Sequence, residues 1–182
     1  MLYSFDINLT EQDHYDFNKF YLLKTHYGKK QTSGARILVT IIPLVWWLAI
    51  CLLNGFNKEN LALVIIFALL STGFCFLSDR VVWTVTKAQL KKLYKTGKPP
   101  YTPVSTLEFY ENCFIEKTPD NKIESNYILV DSVYIANGKM IYIFVNSVLA
   151  YMIPVSAFES DAQYNEFFKF LIQKTGKEII VK

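Results

Sequence analysis

The residues able to do chemistry are few and scattered. Cys51 and Cys75 fall in long apolar runs and Cys113 in an alternating segment, and no C-x-x-C pair occurs. Apolar surroundings favour the neutral thiol over the nucleophilic thiolate, so all three read as structural. The two histidines are His14, in an acidic helix start, and His26, in a polar connector. Glu11 and His14 share a helix face at i, i+3, but two ligands fall short of the three or four that a metal site needs. Asp13 and Asp16 form a carboxylate pair that a helix N-terminus already explains. The sequence holds no G-x-S-x-G, H-E-x-x-H, Walker loop or G-x-G-x-x-G. A non-enzymatic chain follows, with no catalytic residue, metal or cofactor.

The one dense functional pattern is electrostatic. Arg80, Lys87, Lys91, Lys92, Lys95 and Lys98 line the exit from an apolar run, with Leu90, Leu93 and Tyr94 recurring among them at helical spacing. Such a cluster beside an anionic leaflet contributes ~1 kcal/mol per Lys near the surface. Gly97, Pro99 and Pro100 are expected to stop this helix. Net charge is only +3 at pH 7, and the basic flanks account for it, so nucleic-acid binding has no further support.

These charges need a membrane to act on, and the composition supplies the argument for one. Of the 182 residues, 52% are hydrophobic and 19% charged, and mean hydropathy is +0.19. Disorder, a collagen-like helix and a disulfide scaffold are excluded. A soluble chain of this size buries about 60–70% of its surface, so part of the apolar surface must face something other than water. Ile37–Leu53 and Leu61–Ser78 are uncharged and apolar all round, near the lower limit of the ~17–25 residues of a spanning helix. The Ile, Leu and Val residues of the first run favour insertion by about 3 to 7 kcal/mol. Asn54–Asn60 (NGFNKEN) joins the two runs as a short turn, which gives an antiparallel transmembrane hairpin.

Lys24, Lys29, Lys30 and Arg36 precede the hairpin and the basic cluster follows it, whereas the turn carries only Lys58. The positive-inside rule then puts both termini in the cytoplasm. Trp46 and Trp47 fall in mid-span, away from the usual aromatic belt, and Pro43 removes a backbone donor, which the second helix or a Ser or Thr must compensate. Helix contact is expected at Ser71, Thr72 and Gly73, where small side chains allow close approach.

Outside the spans, Ser4–Asn8 reads as a strand. Thr10 and Asp13 then make a capping box for a helix over Glu11 to about Lys24, with Tyr15, Phe17, Phe20, Tyr21, Leu22 and Leu23 apolar. Residues Lys29–Gly34 read as a polar connector. From Pro103 the period becomes twofold: strands are expected at Thr106–Tyr110, Cys113–Lys117, Lys122–Ser125, Asp131–Ala136, Lys139–Val145 and Val148–Ile153, with Asn137-Gly138 as a hairpin turn. Ser160 caps a final helix whose stripe is Tyr164, Phe167, Phe168, Leu171 and Ile172, ending near Gly176. The expected fold is a membrane α+β chain: a two-helix transmembrane hairpin plus a small antiparallel meander or PH-like barrel, capped by a C-terminal amphipathic helix. The N-terminal strand and helix are expected to pack on that barrel. The divisions are 1–34 (N-terminal cytoplasmic strand and helix), 35–86 (hairpin), 87–102 (basic juxtamembrane linker) and 103–182 (PH-like domain).

The order of parts resembles the YcxB-like family of small bacterial membrane proteins. The resemblance is strongest in L-E-F-Y-E-N-C-F-I-E, S-N-Y-I-L-V-D-S-V-Y, I-Y-I-F-V and M-I-P-V-S-A-F. Pro154 stands where the family ends its last strand and Phe158 where an aromatic seats the helix. Tyr127 stands near a position where the family often has Trp. The resemblance implies a cytoplasmic PH-like domain carried by the bacterial plasma membrane, and it brings no catalytic residue.

The expected function is a membrane-anchored, non-enzymatic binding or scaffold module. Its partners are the lipid bilayer and either anionic lipid or a cytoplasmic protein segment, with homo-oligomers open. An oligomeric pore or scaffold regulated by its cytoplasmic domain is the alternative, for which Thr40, Ser71 and Thr72 are the residues that could contribute to a polar face along a span. A membrane-bound enzyme ranks last.

Overall fold

The computed structural model describes residues 1–55, 58–97, 101–147 and 149–182. Side chains are described for all of these except residues 35, 39, 40, 54, 58–62, 64, 74 and 75. The fold is mixed α+β with antiparallel sheets, in two compact units: Met1–His14 with Pro99–Lys182, and Tyr15–Lys98.

The first unit holds two four-stranded sheets. Strands β1 (Tyr3–Asn8), β2 (Val104–Phe109), β3 (Cys113–Lys117) and β4 (Lys122–Asn126) form one, in that order. Strands β5 (Ser132–Ala136), β6 (Met140–Phe144), β7 (Ala150–Pro154) and β8 (Ile179–Val181) form the other, in the order β7-β6-β5-β8. All pairs are antiparallel except β5–β8. A closing helix, Asp161–Thr175, follows β7.

Each of the six strands read after Pro103 exists, Cys113–Lys117 with the expected ends and the others with ends shifted by at most two residues; Val148 lies outside the described residues. Asn137 and Gly138 both take positive φ, 50° and 64°, as the tight β5–β6 turn requires. Ser160 accepts a hydrogen bond from the Gln163 N–H, and Gly176 ends the closing helix in the left-handed region. Strand β8 was not read from the sequence: three residues after the cap pair in parallel with Val133–Ile135.

Strand β1 pairs with β2 over its full length, Tyr3 opposite Phe109 through Asn8 opposite Val104. Alternation puts Phe5 and Ile7 inward, where both are buried. The Phe5 ring lies 4.7 Å from Phe158, 4.9 Å from Phe167 and 6.0 Å from Phe109. Phe158 thus seats the closing helix against β1. Phe170, outside the expected stripe, meets Tyr3 and Tyr127 at 5.2 and 5.7 Å.

The second unit is helical. Helix α1 (Glu11–Lys24) begins in the first unit, and its remainder belongs to the second. Asp13 accepts from the Thr10 N–H at 2.8 Å and the Asp13 N–H donates to Thr10 Oγ1 at 3.2 Å, the reciprocal pair expected of a capping box. Helix α2 runs from His26 to Asn54, so the expected connector Lys29–Gly34 is helical. The reason is local: Thr25 accepts from the Gly28 N–H, and Lys29 through Gln31 hold nothing that breaks a helix. Polar residues without apolar periodicity had looked like a loop.

Helix α3 spans Lys58–Tyr94, so the second apolar run continues directly into the basic exit helix, which ends just before Gly97 as expected. Its Ile65–Gly73 and Phe76–Tyr94 portions meet at 51°. Helices α2 and α3 pack on each other. Cys51, Ser71 and Ser78 are buried. Thr72 is exposed, its hydroxyl donating to the Ala68 carbonyl, and a Cβ placed on Gly73 would meet no described atom within 4 Å. Of the three small residues expected at the contact, only Ser71 is buried in it.

Candidate membrane interface

Helices α2 and α3 bring apolar surface and basic charge into one unit. Arg36–Leu53 has a mean hydropathy of 2.3 and is only 12% buried. It is the one helix segment among the described residues long and apolar enough by itself to cross a bilayer; the two portions of α3 pass that test only together, as one bent span. Ile37, Leu38, Val45, Trp46, Ile65, Leu69 and Phe76 all point outward.

The polar ends of these runs meet. Arg36 Nη2 lies 3.0 Å from Asp79 Oδ1, joining the residue before the first apolar run to the residue after the second. Arg80, Lys87, Lys91, Lys92 and Lys95 are exposed; Lys98 lies outside the described residues. At ~3.6 residues per turn, Arg80, Lys87, Lys91 and Lys95 form one stripe, flanked by the buried Leu90. Helix α1 sits against this stretch: Tyr15 meets Tyr94 edge-on at 5.1 Å, and Lys87 Nζ lies 5.9 Å from the Tyr15 ring centre.

Charge divides sharply between the units. Tyr15–Lys98 carries twelve Lys and Arg against three Asp and Glu, net +9; the other unit carries seven against thirteen, net −6. The net positive charge therefore resides in the helical unit, and the β unit is net acidic.

Within the β unit, polar side chains gather in two places. On the outer face of the first sheet, Glu108 accepts from Lys117 Nζ at 2.5 Å and from Tyr110 OH at 2.7 Å. These bonds hold the Glu108 carboxyl below its ordinary range and raise Lys117 above its own. The group is covered by its immediate neighbours but is not deep. On the inner face, Glu116 stands opposite Leu107, and burial pushes its carboxyl up against the lowering effect of a Ser105 hydrogen bond. Ser125 and the Tyr151 hydroxyl share a buried bond of 2.9 Å nearby. Alternation could have found Glu116, since it shares a face with Phe114.

The sequence-identified cysteines and histidines do not converge. Cys51 is buried in the helical unit, and the side chain of Cys75 lies outside the described residues. Cys113 stands at the outer face of the first sheet, its thiol pushed up by burial and by Glu124. His14 stacks on Tyr101 at 4.7 Å, and His26 is exposed at the start of α2. Among the described residues no three His, Cys, Asp or Glu side chains group as a metal would need.

The family model of the YcxB-like proteins matches residues 111–171. That segment is YcxB-like. It runs from the β2–β3 turn to Leu171 in the closing helix, so Pro154 at the end of β7 and Phe158 both fall inside the YcxB-like stretch. Strands β1, β2 and β8 and the helical unit lie outside it. No curated protein and no solved structure matches the chain.

Proposed function

We propose that this chain is a two-span, non-enzymatic binding module of the bacterial plasma membrane. In this reading the β unit is a PH-like domain held in the cytoplasm, and the partner is a cytoplasmic protein segment. The observation that carries the reading is the β1–β2 pairing. These strands lie on either side of the whole helical segment, yet align residue for residue from Tyr3–Phe109 to Asn8–Val104. Two strands hydrogen-bonded in one sheet sit on one side of a membrane, so the segment between them crosses an even number of times. With Arg36–Leu53 as one span, the bent Ile65–Tyr94 portion of α3 is its return. The Arg36–Asp79 pair supports the same hairpin, and the positive-inside rule makes the common side cytoplasmic.

The stripe on α3 anchors the returning helix. Lys87 lies about 10 Å along the axis from Arg80 and Lys95 about 22 Å, whereas leaflet attraction fades within a Debye length of ~8 Å. Arg80 and Lys87 therefore contribute most, and Lys91, Lys92 and Lys95 contribute in proportion to the tilt that the 51° bend gives this portion. The −6 charge of the β unit makes an anionic headgroup a poor ligand for it, which favours a protein partner.

Cysteine accessibility in intact cells tests the topology. The native cysteines are replaced and single cysteines placed at Ser33, Asn57 and Asn137. An impermeant thiol reagent is expected to label position 57 alone. Labelling at 33 or 137 would place that flank outside and end the reading.

A further inference from the structure

The strands of the β unit give it two unlike ends. The chain leaves for the helices at the end formed by Asn8, Val104, Met140 and Pro154. The opposite end carries Tyr3, Phe109, Cys113, Asn126, Ser132 and Phe144, and there the connection from β4 to β5 forms a short 3-10 turn, Tyr127–Leu129. Tyr127 pins this turn from inside: its hydroxyl donates to the Tyr110 carbonyl at 2.8 Å, and its ring meets Phe114 and Phe170 at 5.6 and 5.7 Å. Asn126 accepts from the Ile128 N–H at 3.1 Å. Ile128 and Leu129 are left 84% and 57% exposed on a turn that is otherwise fixed.

Further apolar side chains lie at the same end of the unit. Asn126 pairs with Cys113, and Cys113, Tyr110, Ile115 and the half-exposed Leu2 line a shallow depression of about 390 Å³. Large aliphatic side chains held out in this number on one end of a small unit mark an interaction surface. Exposed carboxylates flank it, Glu124 on β4 and Asp131 at the start of β5, within a unit of net charge −6. An anionic leaflet repels such a surface, whereas a peptide with apolar and basic residues fits both parts of it.

We propose that this distal end docks a cationic amphipathic segment of a protein partner, with Ile128 and Leu129 as apolar anchors and Glu124 and Asp131 receiving its Lys or Arg side chains. The proposal rests on the reading of the chain as a membrane-anchored binding module and names the partner's chemistry. A rigidly held pair of anchors lowers the ordering cost of binding.

The test uses the full chain in phosphatidylcholine nanodiscs, a labelled amphipathic Leu/Lys peptide, a Leu/Glu peptide of the same length, and fluorescence anisotropy, with empty discs as blank. Saturable binding of the Leu/Lys peptide is expected. The double variants Ile128→Ser with Leu129→Ser, and Glu124→Lys with Asp131→Lys, should each weaken it about ten-fold. Asp120→Lys with Glu159→Lys, the same charge change away from this end, should leave it within about two-fold. Equal binding of the Leu/Glu peptide, or no loss in either distal variant, overturns the proposal. So does phosphatidylserine-dependent burial of a fluorophore at position 128, which would make the occupant a bilayer. Failure of the chain to travel with the discs instead tells against anchoring, and the same titration in detergent still decides the docking.

Discussion

Arg36 Nη2 and Asp79 Oδ1 are 3.0 Å apart, and the apolar runs of both long helices lie on the same side of that pair. The bond fixes the axial register of the hairpin, because a slip of α3 by one turn moves Asp79 about 5 Å along α2. Asp79 is half exposed, so the net contribution is modest, about 0.5–1 kcal/mol. Arg36→Gln and Asp79→Asn should each lower the unfolding midpoint of the purified chain slightly, and the double variant should lose no more than either alone. Full additivity in that cycle would show the two side chains to be uncoupled.

Removing Phe5 tests whether the N-terminal strand belongs to the β unit in energy as well as in geometry. Its ring is 1% exposed among Phe109, Phe158 and Phe167, and Phe→Ala in such a site costs about 3–5 kcal/mol. Hydrogen exchange should accelerate along Val104–Phe109, nearly a hundred residues away in sequence, while α2 and α3 keep their protection. Loss confined to residues 1–8 would contradict the shared core.

Gly28 sits where α1 turns into α2, and a Cβ there would meet the Tyr21 carbonyl oxygen at 2.0 Å and the Leu22 Cα at 2.6 Å. Both are backbone atoms that cannot swing aside. Gly28→Ala should force the corner open at a cost of about 1–3 kcal/mol, and loss of the Tyr15–Tyr94 contact would appear as a crosslinking defect between cysteines placed at those positions. Gly34→Ala, which meets nothing within 4 Å, is the matched control.

Burial holds the His14 imidazole below its ordinary value of 6.5, so the folded chain prefers it neutral. Protonation then favours the unfolded chain: the stability due to this group is complete above about pH 6.5 and is lost as pH falls towards the lowered folded value. Glu11 and Asp13 lie on the same helix turn, and Tyr101 stacks on the ring. His14→Gln should flatten the acid limb of a stability–pH profile below about pH 6.5. An unchanged limb would assign that slope to the carboxylates.

What could be read from the sequence was local. The α1 capping box, the Asn137-Gly138 turn and the Ser160 cap each lie within a few residues of what they organise, and the elements beside them appear at or near the expected places. The missing features are long-range or fall between periodicities. Strand β8 has three residues and a parallel partner more than forty positions earlier. The helical start of α2 is polar on every side, and the α3 bend has no proline to announce it. The basic stripe was legible as a spacing, but the opposed charges of the two units depend on where the boundaries fall. Ile128 and Leu129 fall between two expected strands, where no periodicity assigns them a side; the inward pull of Tyr127 leaves them outside.

The insertion of a helical segment between β1 and β2 also sets an order of events during synthesis. Ribosomes add about 5–20 residues per second, so β1 emerges roughly 5–20 seconds before its partner β2 is complete. Throughout that interval Phe5 and Ile7 have no sheet to join. Closing an unstructured loop of this length costs about 4 kcal/mol beyond its constant part. In the two-span reading proposed above, a completed hairpin would remove most of that cost by returning the nascent chain to the side it left, whereas a single crossing would hold β1 and β2 apart and leave the first sheet without its edge strand.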